Sequence, residues 1–303
     1  MPSNVNTKAP KAPIQLCFCA DGKYADFILP ALESVIRSNS SGRTIAVDII
    51  LDKEPSRQFR ENIISICSGE VRTHVIDASQ FENLLEVTHI TRGMYYRLMI
   101  PELVLAPKVL YLDCDVLVRK DISSLFDTNL DGNLAAAVVN PFHDATRLGL
   151  KEGDAYFNSG VLLINTVEWL RDGVKQKVLD YLSTNKRLLQ MPDQDALNAV
   201  MYGRWVELDP TYNCQVSMLL GYRSLDAELN PRWQTEFLND PAIMHFSAGH
   251  KQWHRSSRIR YAREYRTLRT SVMVSRRGFA ADFFIGRIRQ VKYALIESNP
   301  YFF

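Results

Sequence analysis

The sequence predicts an α/β protein with a Rossmann-like, mostly parallel sheet flanked by helices. Apolar runs at residues 14–20, 44–51 and 71–76 have the length and composition of buried strands. Between them, the segments from about Tyr24 and over 59–66 carry the spaced apolar residues of helices. This βαβαβ alternation with short connections is typical of a parallel sheet. The first strand lacks a following G-x-G-x-x-G, so no dinucleotide fingerprint is predicted.

Further elements continue the alternation along the chain. We predict strands at 108–112, 134–139, 161–164 and 242–246, and a helix over 165–182. The chain has 303 residues, of which 46% are hydrophobic and 23% charged, as is ordinary for a globular protein. No apolar run reaches 18 residues, so no transmembrane helix is predicted.

The amino terminus and the cysteines indicate a cytoplasmic protein. The opening residues lack the apolar region of a signal peptide, and we expect residues 1–13 to form a short disordered tail. The five cysteines are odd in number and lie mostly among apolar residues. Free thiols in a reducing compartment fit that pattern best.

Basic charge is concentrated at the carboxyl terminus. From Lys251 onward there are 12 Lys/Arg and 3 Asp/Glu, a local charge of +9, whereas the first 250 residues hold 24 and 31, a charge of −7. Residues 256–303 also carry an apolar stripe: Phe284, Ile288, Val291 and Leu295. We therefore predict a basic amphipathic helical extension that associates with an anionic membrane surface, with no nucleic-acid partner. The alternative is that this stripe packs on the protein's own domain.

A pair of acids closes the apolar run at 108–112. Asp113 and Asp115 flank Cys114 where a buried strand should end in a loop. Alternate residues of an extended chain point to the same side, so both carboxylates can face one divalent cation. The predicted metal would lie at the carboxyl end of a strand, where open α/β sheets bind ligands. Such a tripeptide also occurs in ordinary solvated turns.

The segment Lys108–Val118 resembles the metal motif of glycosyltransferase family 8. Four further segments resemble family signatures in the right order, and a fifth resembles its closing His…Gly…Lys-Pro-Trp motif. In chain order, these segments are Ala20-Asp21 with Tyr24, Thr91–Leu98, Tyr156–Asn165, Pro192–Asn198 and His245–His254. The resemblance spans about residues 14–254 and is greatest to bacterial galactosyl- and glucosyltransferases that extend lipopolysaccharide or lipooligosaccharide. It implies a GT-A fold over residues 14–255.

The resemblance implies a bound metal and a UDP-sugar donor. His245 would join Asp113 and Asp115 as a ligand, and its nitrogen favours Mn²⁺ over the more strictly oxygen-preferring Mg²⁺, which is also possible. Without the resemblance, His245 would be interpreted as a hydrogen-bonded histidine at a strand end. The donor-contacting residues would be Ala20, Asp21, Tyr24, Arg97, Asp113, Cys114, Asp115, Asn158, Ser159, Gly160, Gly249 and Lys251. Arg97 can pair with a donor phosphate or with a carboxylate of the site.

Catalysis would depend on Asp193 and Gln194, at the start of a helix. The resemblance implies that Asp193 holds sugar hydroxyls and that Gln194 lies beneath the anomeric carbon. Because an amide is a weak nucleophile, we favour same-face transfer over a covalent intermediate. Acids at a helix start also serve as caps. The closing motif departs from the family: Gly249 stands one place late, and Gln252 replaces its proline.

Together these patterns predict a metal-dependent, retaining hexosyltransferase. It would move galactose or glucose from a UDP-sugar to a hydroxyl of a glycan or glycolipid acceptor, such as lipopolysaccharide core. We expect it at the inner face of the bacterial cell membrane, as a peripheral protein. His89 is a weaker candidate for an acceptor contact. The alternatives are a nucleotidyltransferase and a catalytically idle nucleotide-sugar or carbohydrate-binding protein.

Overall fold

A seven-stranded mixed sheet forms the centre of the protein. The computed structural model describes residues 11–86, 91–143, 145–221, 236–247, 249 and 251–273. The strands are β1 Ile14–Ala20, β2 Ile45–Leu51, β3 Val71–Val75, β4 Lys108–Leu112, β5 Val116–Val118, β6 Ala135–Val139, β7 Phe157–Asn165, β8 Trp205–Glu207, β9 Cys214–Gln215 and β10 Ile243–His245. The central sheet has the order β3-β2-β1-β4-β7-β6-β8, and a small sheet has the order β5-β10-β9.

Most neighbouring strands of the central sheet run parallel. Strands β3, β2, β1 and β4 are parallel to one another, as are β6 and β8, whereas β7 is antiparallel to both β4 and β6. In β1, Leu16 and Phe18 enter one buried apolar cluster, while Cys17 enters another on the opposite face. A strand that is apolar on both faces is typical of a sheet covered on both sides. The predicted α/β class is confirmed.

Helices cover the sheet and alternate with its strands along much of the chain. They are α1 Ile28–Ser38, α2 Arg57–Ile66, α3 Ile100–Leu103, α4 Ser123–Phe126, α5 Thr166–Asp172, α6 Val174–Thr184, α7 Pro192–Val200, α8 Val216–Gly221, α9 Glu236–Asn239 and α10 Ala262–Val272. A run of 3₁₀ turns over Arg92–Met99 precedes α3.

Two predicted elements differ in extent from the observed ones. The helix predicted over 165–182 is divided into α5 and α6 at Gly173, whose φ of +64° suits glycine and ends the first helix. The strand predicted over 161–164 begins earlier, at Phe157. Asn158, Ser159 and Gly160 therefore lie within β7, which fixes their positions.

The helix α10 packs onto the core of the central sheet. Its Ala262, Tyr265, Leu268 and Val272 recur on one face and join the apolar cluster that contains α1. The packed core thus continues past residue 256, where the sequence predicts the basic extension to begin. The apolar stripe from Phe284 to Leu295 and most of the predicted amino-terminal tail lie outside the described residues. Within the described residues, no helix is long and apolar enough to cross a membrane.

Candidate active site

A cavity of about 150 Å³ opens beyond the carboxyl end of β4. Almost all of the site residues predicted from sequence line it, and Gly249 is the exception. The predicted residues in its lining are Ala20, Asp21, Tyr24, Arg97, Asp113, Cys114, Asp115, Asn158, Ser159, Gly160, Asp193, Gln194, His245 and Lys251. Segments that are distant in sequence therefore meet in one place, as the ordered motifs predict.

Three candidate metal ligands converge at the base of the cavity. Asp113 follows β4, Asp115 precedes β5, and His245 ends β10, which pairs with β5. His245 Nε2 lies 3.2 Å from Asp115 Oδ1 and 3.7 Å from Asp113 Oδ2. One ligand atom from each residue can be chosen so that all lie within 4.8 Å of one another. Two carboxylates and an imidazole are a donor set that can hold a divalent cation.

The ring of His245 is oriented by a buried asparagine. His245 Nδ1 lies 2.9 Å from Oδ1 of Asn213, whose Nδ2 donates to Asn158 Oδ1 at 2.9 Å. Gly160 N–H also donates to that Asn158 oxygen, at 3.0 Å, so neither amide can be reversed. Nδ1 therefore donates to Asn213, and Nε2 is the ring nitrogen that faces the two aspartates. A second ring nitrogen tied in this way is typical of a metal-ligating histidine, and the residues present fit a divalent cation.

Gly160 leaves room for the three ligands to converge. A Cβ at this position would lie 2.3 Å from His245 Cε1 and 2.6 Å from Asp113 Oδ2. Both distances are below van der Waals contact, so a side chain here would displace the ligands. The Gly160 carbonyl also accepts a hydrogen bond from the backbone N–H of Asp113, at 2.8 Å. The small residue in β7 thus serves the geometry of the acid pair.

Lys251 supplies a cation on one side of the acid pair. Its Nζ contacts Asp115 Oδ2 at 2.5 Å and the Phe246 carbonyl at 3.0 Å. Burial opposes ionisation of Asp115, but the charges of Lys251 and His245 hold its pKa below the usual range. Burial likewise opposes the ammonium form, yet Asp115 raises the pKa of Lys251. Both side chains are therefore held in their charged forms.

Arg97 supplies the other cation and is almost fully buried. Its guanidinium donates to Asp113 Oδ1 at 3.0 Å, lies 3.4 Å from Asp193 Oδ2, and donates to the Met94 and Ser159 carbonyls. Of the two sequence alternatives, the structure shows the pairing with carboxylates. We interpret Arg97 as the residue that positions Asp113 and Asp193. Burial raises the pKa of Asp193, and the neighbouring Arg97 opposes that rise.

The amide of Gln194 is held at both ends. Its Oε1 accepts hydrogen bonds from Asn158 Nδ2 at 2.9 Å and from Ser159 N–H at 3.1 Å. Its Nε2 donates to the Tyr156 hydroxyl at 3.0 Å, and that hydroxyl donates to Asp195 at 2.6 Å. The backbone N–H of Ser159 fixes Oε1 as the acceptor end.

Asp195 anchors this network beneath the cavity. It is fully buried, and its carboxylate is contacted by both terminal nitrogens of Arg147, at 2.9 and 2.5 Å. The backbone N–H groups of Gln190 and Met191 also donate to it, at 2.7 and 2.9 Å. The bidentate arginine and these donors hold the start of α7 rigidly below Gln194.

Aromatic residues form the end of the cavity near β1. Asp21 caps the turn after β1 by accepting hydrogen bonds from the backbone N–H groups of Lys23 and Tyr24, at 3.0 and 3.2 Å. Trp253 stacks on Phe27 with ring centroids 3.9 Å apart, and the Tyr24 ring lies 6.2 Å from that of Trp253. This end can take a flat base by stacking. Sequence reasoning did not select Trp253, although it belongs to the closing motif.

Four residues of the network were not selected from sequence. Tyr156 and Asp195 lie within segments that resemble family signatures, whereas Asn213 and Arg147 lie in none of those segments. Gly249 is exposed and does not line the cavity. The weaker acceptor candidate His89 lies outside the described residues.

Comparison with known proteins identifies the family. The profile described as Glycosyl transferase family 8 matches residues 15–257, most of the chain. The chain belongs to glycosyltransferase family 8. It is 29% identical over 257 residues to general stress protein A of Bacillus subtilis, covering 82% of this chain and 90% of that protein. It is 26% identical over 239 residues to the lipopolysaccharide glucosyltransferase WaaO of Escherichia coli, covering 74% and 68%.

A solved structure of the same fold agrees with this assignment. The galactosyltransferase LgtC, in complex with donor and acceptor sugar analogues, superimposes with a TM-score of 0.79 at 25% identity, over 89% of this chain and all of LgtC. The GT-A architecture predicted for this family 8 protein is confirmed. The protein is a glycosyltransferase. Family membership decides against the nucleotidyltransferase and the idle binding protein.

Proposed function

We propose that this family 8 enzyme transfers galactose or glucose from a UDP-sugar to a glycan hydroxyl, with retention and with a divalent cation. The observation that supports this most directly is the cavity itself. It brings Asp113, Asp115 and His245 within reach of one ion and places Gln194 beside them. Retention is proposed from the family resemblance, and the hexose from what the relatives WaaO and LgtC are named to transfer.

Asp113, Asp115 and His245 would hold the cation, with Mn²⁺ favoured over Mg²⁺. When bound there, a divalent cation supplies positive charge that neutralises the departing diphosphate. Lys251 adds a further positive charge beside Asp115. The uracil would bind at the end formed by Ala20, Asp21 and Tyr24.

The sugar would lie between Asp193 and Gln194. Asp193 is fixed by Arg97 and by the Ser159 hydroxyl, at 3.2 Å, and so can accept hydrogen bonds from sugar hydroxyls in one orientation. Gln194 Oε1 already accepts two hydrogen bonds, which lowers its nucleophilicity further. This favours same-face transfer, in which the bond from the anomeric carbon to the diphosphate oxygen breaks as the bond to the acceptor oxygen forms. The acceptor proton passes to the departing phosphate oxygen, and the Gln194 carbonyl dipole stabilises positive charge at the sugar.

A donor panel tests the proposed reaction. The full chain is incubated with UDP-galactose, UDP-glucose, UDP-N-acetylglucosamine and GDP-mannose, with Mn²⁺ or with EDTA, and release of the nucleotide is measured. We expect slow hydrolysis of one or both UDP-hexoses with Mn²⁺ and none with EDTA. Equal release in EDTA, or release only from GDP-mannose, would contradict the proposal.

We also propose that the enzyme acts as a peripheral protein at the inner face of the bacterial membrane, on an acceptor such as lipopolysaccharide core. The excess of basic residues after Lys251 supports this location.

A shortened chain tests the membrane proposal. A chain ending at Met273 retains α10, which packs in the core, and loses the predicted apolar stripe. We expect it to lose flotation with phosphatidylglycerol vesicles while it hydrolyses the donor at the full-length rate. Phosphatidylcholine vesicles serve as the uncharged control. Undiminished flotation with the anionic vesicles would exclude residues 274–303 as the membrane anchor.

A further inference from the structure

A second cavity, of about 170 Å³, lies against α10 and has four arginines in its wall. Arg255 comes from the loop before α10, and Arg263, Arg266 and Arg269 come from the helix itself. Thr267 and Thr270 complete the helical side of the wall. Trp253 lines both this cavity and the first cavity, here called the donor cavity, and so separates the two. Among the described residues, none that lines this cavity carries a carboxylate. We call this the arginine cavity.

The helix geometry explains why these side chains converge. Arg263, Arg266, Thr267 and Thr270 follow the i, i+3, i+4, i+7 spacing that places residues on one helical face. The opposite face carries the residues that pack against α1. Arg269 lies at the border of the two faces, where it is only 7% exposed and its guanidinium lies 4.9 Å from the centroid of the Phe27 ring. Arg269 is thus fixed by packing, whereas Arg255 and Arg263 are exposed at the mouth of the cavity.

Arg266 is the best fixed of the four. One of its terminal nitrogens donates to the carbonyls of Gln252, His254 and Ser257, at 3.0 to 3.2 Å. These bonds hold the loop before α10 against the helix and keep the guanidinium at the cavity. Within the described part of the chain, neither Arg263 nor Arg266 forms a salt bridge with a carboxylate.

The charges around Arg266 differ from those around the partly buried Arg119 and Arg147. Burial lowers the pKa of Arg266, and the charges of Arg255 and Arg263 lower it further. At Arg119 and Arg147, burial also opposes the charged form, but neighbouring carboxylates raise the pKa above its ordinary value. Like charges gathered in a partly desolvated space cost free energy unless a counter-charge joins them.

We propose that the arginine cavity is a binding site for a phosphate group. Planar guanidinium groups match the oxygens of a phosphate in bidentate geometry, and several of them can neutralise its charge together. The phosphate can belong to a lipid headgroup or to a water-soluble phosphorylated molecule, since both present the same oxygens. The site is separate from the metal ligands, and it does not depend on the proposed transfer reaction.

A charge-matched pair of variants tests the site in the full chain. Arg255→Gln/Arg263→Gln removes two charges from the cavity wall and leaves Arg266 to hold its carbonyls. Lys186→Gln/Arg187→Gln removes two exposed charges between α6 and α7 and is the control. Inorganic phosphate is titrated calorimetrically into each protein without divalent cation. Phosphate that binds in the donor cavity contributes equally to all three proteins.

We expect the cavity variant to bind inorganic phosphate about tenfold or more weakly than the wild type, because two charge-assisted contacts are lost. The control variant should bind it as the wild type does. Equal binding by the cavity variant and the control, or no binding by the wild type, would overturn the proposal. UDP-hexose hydrolysis is measured in parallel, so failure of the proposed reaction is seen separately.

Vesicle flotation then separates the two sources of phosphate. Residues 274–303 are present in both variants, so only a difference between the variants reports on the cavity. If the cavity variant binds phosphatidylglycerol vesicles more weakly than the control does, the site takes lipid headgroups. If the two variants bind these vesicles equally while the cavity variant has lost binding of inorganic phosphate, the site takes a soluble phosphorylated molecule. Both results support a phosphate site.

Discussion

Asp115→Asn is expected to lower donor hydrolysis by about a thousandfold, a loss of about 4 kcal/mol of transition-state stabilisation. The substitution keeps the shape of the side chain and removes its charge. Asp115 is the more buried of the two acids, and it contacts both His245 and Lys251. An amide would hold a divalent cation poorly, and it would leave the Lys251 ammonium without its counter-charge.

The control for Asp115 is a carboxylate outside the cavity that also pairs with two basic side chains. Asp127 is exposed and pairs with Lys11 and Arg43, at 2.6 Å each. Asp127→Asn should keep hydrolysis near the wild-type rate. Initial rates of UDP release with saturating Mn²⁺ provide the measurement, with circular dichroism to establish folding. A folded Asp115→Asn protein within tenfold of the wild type would show that this carboxylate is not a ligand.

The second large effect is expected from Arg97→Met, which should lower the free energy of unfolding by about 3–5 kcal/mol. Methionine fills much of the same volume but leaves the buried Asp193 without a cation, and it also removes the bond to Asp113. The Met94 and Ser159 carbonyls lose their donor at the same time. Unpaired buried polar groups carry a large desolvation cost.

Urea unfolding measures this loss of stability, and a salt bridge with an exposed arginine serves as the control. Arg171 pairs with Glu168 on α5, where the arginine side chain is 69% exposed, and Arg204 remains 3.6 Å from Glu168 when Arg171 is replaced. Arg171→Met should change the free energy of unfolding by no more than about 1 kcal/mol. If Arg97→Met were equally mild, Arg97 would not be the counter-charge that holds the two aspartates.

The fold and the positions of the three candidate metal ligands could be predicted because their signals are local. The run Lys108–Leu112 is apolar throughout, and the two acids follow it at the spacing of an extended chain. His245 likewise ends a short apolar strand. The hydrophobic pattern locates the strands, and the positions of the strand ends therefore place these residues at one edge of the sheet. Their actual convergence depended on the ordered family motifs, since no local pattern pairs β10 with β5.

The supporting residues could not be predicted because they are chosen by long-range packing. Asn213 fixes the His245 ring from 32 residues away, and Arg147 reaches Asp195 across 48 residues. Neither side chain has a local pattern that indicates its partner. For α10, the excess of basic residues after Lys251 indicated part of a membrane-associating extension. The apolar residues at 262, 265, 268 and 272, with helical spacing, carried the signal for its packed face.

A manganese titration of the full chain, followed by calorimetry, tests the central claim most directly. We expect the wild-type protein to bind one Mn²⁺ per chain, and Asp115→Asn to weaken that binding by about a hundredfold or more. Asp127→Asn should bind the ion as tightly as the wild type. Manganese binding that is unaffected by Asp115→Asn would contradict the account.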